Sequence, residues 1–356
     1  MSGTDQPVLL ERRGVLGLIT LNRPRAINAL THEMVLLVSR ALDEWEHDDA
    51  VRTVAITGAG ERGLCAGGDI VALYEAAVEG PAEPAVEFWA DEYAMNARIA
   101  TYPKPIVAVQ DGLVLGGGIG ISAHASHRVV TERSRLGFPE VTIGFVPDVG
   151  GTWLLSRSPG ELGTRLALTG AHVGAADAIL VGLSDQFVPS ELIPALLDRL
   201  GTEEPDIAIA AVRADPGPAP LEAERELTDR TFGQATVCEI IAALEADGDE
   251  PARQIAGTVA AKSPTAVSVA LEALRRARAL DSLEEALEQE FRVSTRHLSA
   301  PDFAEGIRAQ VIDKDRSPAW RPADLGEITT SMVEEFFRES PWGSFHSARV
   351  MSKETS

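Results

Sequence analysis

The sequence of 356 residues contains only two cysteines, Cys65 and Cys238, which is too few for a disulfide framework or a cysteine-based metal site. Basic residues are also scarce: 32 Lys and Arg stand against 54 Asp and Glu, and the net charge is −22. Nucleic-acid-binding proteins usually present a basic face, so this charge argues against that class. The negative net charge is compatible with a polyanionic small ligand if basic side chains near the site bind that ligand. Candidate cations near the glycine turns described below are Arg23, Arg25, Arg62 and Lys104.

Long hydrophobic runs are absent as well. No stretch of about eighteen apolar residues occurs, so we expect no transmembrane helix and no membrane partner. Residues 1–7 show neither the basic and apolar regions of a signal peptide nor the Arg-rich pattern of a transit peptide, and we therefore expect a cytoplasmic location. The Gly-x-Ser-x-Gly elbow of serine hydrolases and the Walker A lysine pattern are missing too, so neither mechanism has support from a motif.

What is present is an alternation of apolar segments with helical periodicity. It predicts strands at 8–11, 15–21, 51–57, 105–110 and 128–131, and helices at 31–45, from about 69, at 85–100 and after Gly116. Such alternation is typical of an α/β core with covered parallel strands, which we place at residues 8–190. Residues 191–340 read as a helical C-terminal region with a Pro-rich loop at 215–220, and 341–356 as a flexible tail.

Two glycine turns stand out in the core. One is Cys65-Ala66-Gly67-Gly68-Asp69, and the other is Gly116-Gly117-Gly118, which follows an apolar segment and opens a helix. A substrate can approach a glycine amide closely because there is no Cβ, and an amide at a helix start favours developing negative charge. Taken alone, the second turn is better interpreted as an ordinary strand-to-helix turn, and its pairing with the first turn favours an oxyanion hole. Cys65 is compatible with a reactive thiol, but a small buried apolar residue is the better interpretation.

Carboxylates accompany these turns. Glu140 follows Pro139, Asp148 lies in Pro147-Asp148-Val149-Gly150-Gly151, and Glu92 lies in the helix at 85–100. Each has an alternative: an exposed loop carboxylate for Glu140, a helix N-cap for Asp148 and a helix-surface charge for Glu92. His124 and His127 lack a third ligand of suitable spacing, so we interpret them as structural and expect no metal.

Leu64–Ile70, Leu115–Gly118 and the segment Leu21–Leu30 (LNRPRAINAL) resemble the crotonase (enoyl-CoA hydratase/isomerase) superfamily. The resemblance implies an α/β fold, a crotonase-like spiral of ββα units with a helical C-terminal region, that binds acyl-CoA and assembles as a homo-oligomer, a trimer or a multiple of one. It implies an oxyanion hole formed by the amides of Gly68 and Gly117. The residues that it implies for CoA binding are Arg25, Ala26, Ala66, Asp69 and Ile70.

A narrower resemblance, to the 3-hydroxyisobutyryl-CoA hydrolase branch, rests on Pro139-Glu140, Gly144–Gly151, Glu92-Tyr93 and the late segment Pro301–Trp320. It implies hydrolysis of a short β-hydroxyacyl-CoA thioester from valine breakdown, with no cofactor other than the CoA of the substrate. Glu140 would act as nucleophile or general base. Glu92 and Asp148, with Gly117 and Glu140, would contact the substrate. Asp148 would also act in catalysis by helping the CoA thiolate to leave.

One position departs from the hydratase pattern. Hydratases of this superfamily use two glutamates, one of them three residues after the central glycine of the triplet, and this sequence has Gly120 there. A single carboxylate fits paired proton transfer to two alkene carbons poorly, so hydrolysis is the favoured interpretation. An enoyl-CoA hydratase or isomerase and a non-catalytic acyl-CoA-binding subunit stay open as alternatives.

Overall fold

The structure is a computed structural model that describes residues 6–78 and 80–354. The chain divides into two compact units, each built from segments that are separate in sequence. The first unit contains the residues up to Gly68, Ala94–Gly137 and Val173–Pro220. The second unit contains Asp69–Tyr93, Phe138–His172 and the residues from Leu221 onward.

The strands are β1 (Val8–Arg13), β2 (Leu16–Leu21), β3 (Thr53–Gly58), β4 (Ile106–Gln110), β5 (Leu113–Leu115), β6 (His127–Val130), β7 (Arg135–Gly137), β8 (His172–Val173) and β9 (Gln186–Phe187).

The helices are α1 (His32–Glu46), α2 (Ile70–Val78), α3 (Glu83–Ala100), α4 (Gly117–Gly120), α5 (Gly151–Ser156), α6 (Leu162–Thr169), α7 (Ala175–Leu180), α8 (Ile193–Leu200), α9 (Pro205–Ala210), α10 (Pro220–Ala223), α11 (Arg225–Phe232), α12 (Val237–Asp247), α13 (Glu250–Ala260), α14 (Pro264–Ala277), α15 (Leu283–His297), α16 (Pro301–Ile307), α17 (Thr330–Glu335) and α18 (Phe345–Glu354). Short 3₁₀-helices cover Pro24–Ala26, Glu140–Ile143, Ser190–Leu192 and Leu325–Glu327, and a π-helical turn covers Arg308–Ile312.

The first unit is organised around a six-stranded sheet of order β1-β2-β3-β4-β6-β9. β1 and β2 form an antiparallel pair, and the following pairs are parallel, with Val54 opposite Ile106 and Val107 opposite His127. The first four residues of β3 and all of β4 are buried, as expected for parallel strands covered on both faces. Apolar residues of this sheet pack against α8 and α9, for example against Leu196 of α8.

A second, small sheet in the same unit positions the Gly116 turn. β5 pairs with β7 in parallel, so that Leu115 lies opposite Gly137, and the Gly116 amide donates to the Gly137 carbonyl at 3.2 Å. The chain turns directly from β5 into α4, and Gly117 is therefore the first residue of a helix.

The second unit is predominantly helical. Its core combines α6, α11–α15 and the segment 141–146, with buried apolar residues such as Leu168, Ile240 and Val267. Serine and threonine caps start several of these helices; Ser282, for example, accepts a hydrogen bond from the Glu285 amide at the start of α15.

Most predicted elements in residues 8–131 are confirmed, with their ends shifted by one or two residues. The parallel α/β sheet is confirmed as well. The 3₁₀-helix Glu140–Ile143 covers the start of an apolar run at 141–146, and its C-cap residue, Gly144, has a φ of 70°. A helix, α18, occupies much of the segment predicted to be a flexible tail, and Phe345 at its start is buried; residues 355–356 lie outside the described residues. The predicted division at residue 190 stays a prediction.

Candidate active site

The two glycine turns lie side by side within the first unit. The Cys65 amide donates to the Leu113 carbonyl at 3.2 Å, and the Leu115 amide donates to the Cys65 carbonyl at 3.0 Å. A Cβ on Gly118 would lie only 2.5 Å from the Cys65 carbonyl oxygen, and a Cβ on Gly67 would lie 3.9 Å from the Gly117 nitrogen. Only glycine at position 118 lets the two backbones approach this closely.

Two amides of these turns are available as donors. Gly117 is the first residue of α4, and amides in the first turn of a helix have no intrahelical acceptor. Among the backbone hydrogen bonds of the described loops, turns and caps, neither the Gly68 nor the Gly117 amide is a donor. Cys65 itself is fully buried, in agreement with its interpretation as a small apolar residue. The predicted oxyanion donors are therefore brought together by neighbouring turns of one unit.

The predicted CoA-binding residues fall in both units. Arg25 and Ala26 lie in the 3₁₀-helix Pro24–Ala26, and the next residue, Ile27, accepts a hydrogen bond from the Ala66 amide at 2.9 Å. The first unit thus brings three of the five residues together. Asp69 and Ile70 belong to the second unit, where α2 begins at Ile70.

The second unit gathers the predicted carboxylates at buried positions. The exposed fractions are 2% for Glu92, 7% for Glu140 and 5% for Asp148. Tyr93 donates its hydroxyl proton to Asp148 Oδ2 at 2.7 Å, and its oxygen lies 2.8 Å from Ser294 Oγ. These positions exclude the alternatives of a helix-surface charge for Glu92 and an exposed loop carboxylate for Glu140.

The N-cap alternative for Asp148 is excluded too. The N-cap residue of α5 is Gly150, which has no side chain that could accept a hydrogen bond from the first amides of that helix. Asp148 takes part in this turn through its backbone, because its carbonyl accepts from the Gly151 amide at 2.6 Å. The Asp148 side chain is directed instead to Tyr93.

The segments that carry these carboxylates also carry buried aromatic rings. Trp89 stacks on Phe145 with ring centroids 5.7 Å apart, and Phe145 contacts Phe303 at 5.1 Å. Trp89 and Tyr93 are four residues apart on α3, a spacing that places both on one side of the helix. A charge in such surroundings loses most of its hydration.

The pKa values follow from this burial. Burial raises the pKa of Asp148 to about 7, although the Tyr93 hydroxyl acts in the opposite direction. Burial also holds the pKa of Glu140 well above its ordinary value, and the Asp148 charge raises it further. The same two causes raise the pKa of Glu92. Carboxylates with raised pKa values in an apolar site are candidates for acid–base or nucleophilic chemistry.

Two carboxylate oxygens have no protein partner. Glu140 Oε2 and Glu92 Oε1 are buried and, within the described residues, accept no hydrogen bond. Buried polar atoms are almost always paired, so an orphaned pair at one cluster indicates a place where another polar group binds. The second unit can therefore hold a hydroxyl of a ligand at this cluster.

Comparison with known proteins agrees with this geometry. The sequence model described as enoyl-CoA hydratase/isomerase matches residues 16–337, which is most of the chain. The chain belongs to the enoyl-CoA hydratase/isomerase family. This confirms the crotonase fold that the glycine turns predict.

Named relatives in this family fall in two groups. The chain is 39% identical to "3-hydroxyisobutyryl-CoA hydrolase, mitochondrial" of Danio rerio over 94% of this chain and 90% of the relative. The human protein of the same name is 37% identical, over 94% and 89%. A solved structure titled carnitinyl-CoA dehydratase, from Mycobacterium thermoresistibile, is 48% identical with a TM-score of 0.92, over 95% and 98% of the two chains. One titled enoyl-CoA hydratase, from Rhodobacter sphaeroides, is 41% identical with a TM-score of 0.88, over 93% and 97%.

Gly120 bears on the choice between the activities of this family. It lies in α4, three residues after Gly117, and is buried. The position where a hydratase of this family would carry a second glutamate therefore holds no acid or base. The carboxylate cluster of the second unit supplies Glu92, Glu140 and Asp148 from other elements instead.

Sequence reasoning missed Glu290. It lies on α15, is 1% exposed, and accepts hydrogen bonds from the Gly150 and Thr152 amides. Burial raises its pKa to about 8. In the sequence it is one of several glutamates on a periodic helix, and only its place on the apolar side between Leu287 and Val293 could have distinguished it.

Among the described residues, no helix combines the length and the apolar character that crossing a bilayer requires.

Proposed function

We propose that this protein is a thioesterase that hydrolyses 3-hydroxyisobutyryl-CoA to 3-hydroxyisobutyrate and CoA. The observation that carries the proposal is the buried cluster of Glu92, Glu140 and Asp148, combined with glycine at position 120. Relatives named 3-hydroxyisobutyryl-CoA hydrolase, 37–39% identical over most of the chain, support it.

The amides of Gly68 and Gly117 are proposed to donate to the thioester oxygen. As the carbonyl carbon becomes tetrahedral, negative charge develops on this oxygen, and donors that are already in position stabilise it without reorganisation. Removal of one such donor typically costs on the order of 10²–10³ in kcat. The two glycine amides thus stabilise the tetrahedral oxyanion that acyl-transfer reactions share.

Glu140 is proposed to supply the nucleophile or the general base. In the first route its carboxylate attacks the thioester carbon, the carbon–sulfur bond breaks, and water hydrolyses the resulting anhydride to acid and free carboxylate. In the second route it takes a proton from the attacking water. Both routes require the ionised carboxylate, and the orphaned Oε2 leaves an oxygen without a competing hydrogen bond.

Asp148 and Glu92 are proposed to bind the β-hydroxyl of the substrate. Tyr93 holds Asp148 Oδ2, and the orphaned Glu92 Oε1 can accept from a hydroxyl. A pKa of about 7 also lets Asp148 carry a proton near neutral pH, which would protonate the departing CoA thiolate. Arg25, Ala26, Ala66, Asp69 and Ile70 are proposed to bind the CoA moiety.

The test is thiol release across a panel of acyl-CoA esters with and without a β-hydroxyl. A site built to hydrogen-bond a hydroxyl rejects the analogue that lacks it by up to about 10⁴. We expect kcat/KM for 3-hydroxyisobutyryl-CoA and 3-hydroxypropionyl-CoA to exceed that for isobutyryl-CoA by at least about 10². Equal values for the hydroxylated and plain esters would contradict the proposed recognition.

Hydration or dehydration of an acyl-CoA is the second candidate, because the solved structures titled dehydratase and hydratase are 41–48% identical to this chain. It predicts change in enoyl absorbance without thiol release. Binding of acyl-CoA without turnover of any ester would identify a non-catalytic subunit.

Three further expectations stay proposals. A role in valine breakdown depends on the proposed substrate, and a homo-oligomer, a trimer or a multiple of one, depends on the family resemblance. A cytoplasmic location depends on the sequence alone, while the named relatives carry "mitochondrial" in their names.

A further inference from the structure

Glu290 makes an unusual set of contacts for a buried carboxylate. Its Oε2 accepts from the Gly150 amide at 2.6 Å, and its Oε1 accepts from the Thr152 amide at 2.9 Å and from Thr152 Oγ1 at 2.5 Å. All three donors belong to the start of α5. Both oxygens of Glu290 accept here, whereas a glutamine would direct an NH₂ group at one of these donors.

The turn that precedes α5 needs such support. Val149 has a φ of 54° and Gly150 a φ of 81°, so two consecutive residues are left-handed. This conformation costs about 1–2 kcal/mol for a residue with a Cβ, and Val149 is β-branched and buried. Gly150, as N-cap, supplies no side-chain cap to the helix. Glu290 takes over the role of the missing cap, from a helix 140 residues away in the sequence.

Asp148 is the residue immediately before this strained pair. Its carboxylate is held on the other side by Tyr93, whose hydroxyl oxygen lies 2.8 Å from Ser294 Oγ. Ser294 is four residues after Glu290, on the same face of α15. One helix therefore supports both the backbone that carries Asp148 and the hydroxyl that binds the Asp148 side chain.

We propose that Glu290 is a positioning residue that fixes the turn 148–151, so that the Asp148 carboxylate is presented to the substrate. The inference rests on the proposed function, because that function assigns Asp148 to the substrate hydroxyl. Glu290 acts through Asp148 and does not contact the substrate.

The charges around Glu290 are consistent with this role. Asp148 and Glu140 are its acidic neighbours, and Tyr93 is the titratable hydroxyl beside them. Ionised Glu290 raises the pKa of both Glu140 and Tyr93. An ionised carboxylate at this place disfavours charge on its neighbours, and its three hydrogen bonds to the turn offset this effect.

The experiment compares Glu290→Gln with Glu284→Gln. Glu284 lies on the same helix, its side chain is 62% exposed, and it pairs with the exposed His346, so its replacement removes an equal charge at an exposed position. Hydrogen exchange of a peptide spanning 146–154 is measured in both variants. We expect exchange in Glu290→Gln to increase at least about tenfold and to be unchanged in Glu284→Gln.

Kinetics then test whether Glu290 acts through Asp148. The ratio of kcat/KM for 3-hydroxyisobutyryl-CoA to that for isobutyryl-CoA should fall in Glu290→Gln and in Asp148→Asn. The double variant should be within about threefold of Asp148→Asn, because the two residues act as a unit. If the two substitutions lower the ratio independently, so that their effects multiply in the double variant, the proposal is overturned. Unchanged hydrogen exchange of the 146–154 peptide in Glu290→Gln would overturn it as well.

Failure of the proposed function and failure of Glu290→Gln to fold are distinguishable from these results. If the wild-type protein releases no thiol from any ester, the proposed function fails, and the exchange measurement still decides whether Glu290 holds the turn. If Glu290→Gln does not fold, Thr152→Val replaces it, since that variant removes one of the three hydrogen bonds and keeps both amides. An unchanged exchange rate in Thr152→Val would then overturn the proposal.

Discussion

Replacing Asp148 with asparagine should stabilise the folded protein at neutral and alkaline pH while it impairs turnover. The carboxylate is 5% exposed, and its Oδ2 accepts a hydrogen bond from the Tyr93 hydroxyl. Asparagine keeps an oxygen that can accept this bond and removes the charge. The variant therefore isolates the free energy of burying a charge from the free energy of the hydrogen bond.

The magnitude follows from the pKa of Asp148, which rises from 3.8 to about 7 on folding. Each pKa unit corresponds to about 1.36 kcal/mol, so three units correspond to about 4 kcal/mol. Between these two pKa values the folded chain binds the proton more strongly than the unfolded chain, and the free energy of unfolding falls as the pH rises. The wild-type protein loses this stability between about pH 4 and pH 7, and Asp148→Asn does not.

The assay is urea unfolding of both proteins at intervals from pH 4 to pH 9. We expect equal stability near pH 4 and an advantage of a few kcal/mol, at most about 4, for Asp148→Asn above pH 7. Asp198→Asn, with a side chain that is 80% exposed, removes a similar charge from the surface and should show no such trend. Equal stability of Asp148→Asn and wild type at pH 8 would refute the reasoning.

Three further predictions concern catalysis and packing. Glu140→Gln should lower kcat by about 10²–10⁴ with little change in KM, and steady-state kinetics with a thermal melt as folding control would test it. Gly118→Ala should lower both Tm and kcat, because its Cβ would lie 2.5 Å from the Cys65 carbonyl oxygen. Gly257→Ala, which has open space around its Cβ, should instead raise the free energy of unfolding by up to about 1 kcal/mol. Activity should rise with pH as Glu140 ionises. This rise should occur at lower pH in Asp148→Asn, because the Asp148 charge raises the pKa of Glu140. Measurement of kcat/KM from pH 5 to pH 9 tests this, and a rise at the same pH in both proteins would contradict it.

The sequence predicted the parts of the molecule that depend on local patterns. The strands and helices of the sheet region followed from apolar periodicity, and the glycine turns at Gly67 and Gly116 followed from residues that tolerate positive φ, here 106° and 46°. The family followed from the resemblance of these turns and of Leu21–Leu30 to the crotonase superfamily. Each of these signals lies within a short stretch of chain.

The parts that escaped prediction depend on contacts between distant segments. Glu290 binds amides 138 and 140 residues earlier in the chain, and Ser294 contacts Tyr93 across 201 residues. Within the local sequence, only its place on the apolar side of α15 separates Glu290 from the exposed glutamates of that helix, and this place does not reveal its distant partners. The burial of Glu92 does not follow from the sequence for the same reason, since a single carboxylate on a helix does not reveal which face is covered.

Thioester hydrolysis in preference to hydration is best tested by two rates measured on one preparation of the wild-type protein. Thiol release from 3-hydroxyisobutyryl-CoA is followed beside the loss of enoyl absorbance of crotonyl-CoA, each as kcat/KM. With Glu140 and Asp148 buried and Gly120 in place of a second glutamate, thiol release should exceed hydration by at least about 10², the contribution of one general acid or base. Hydration at a rate equal to or above thiol release would contradict the assignment.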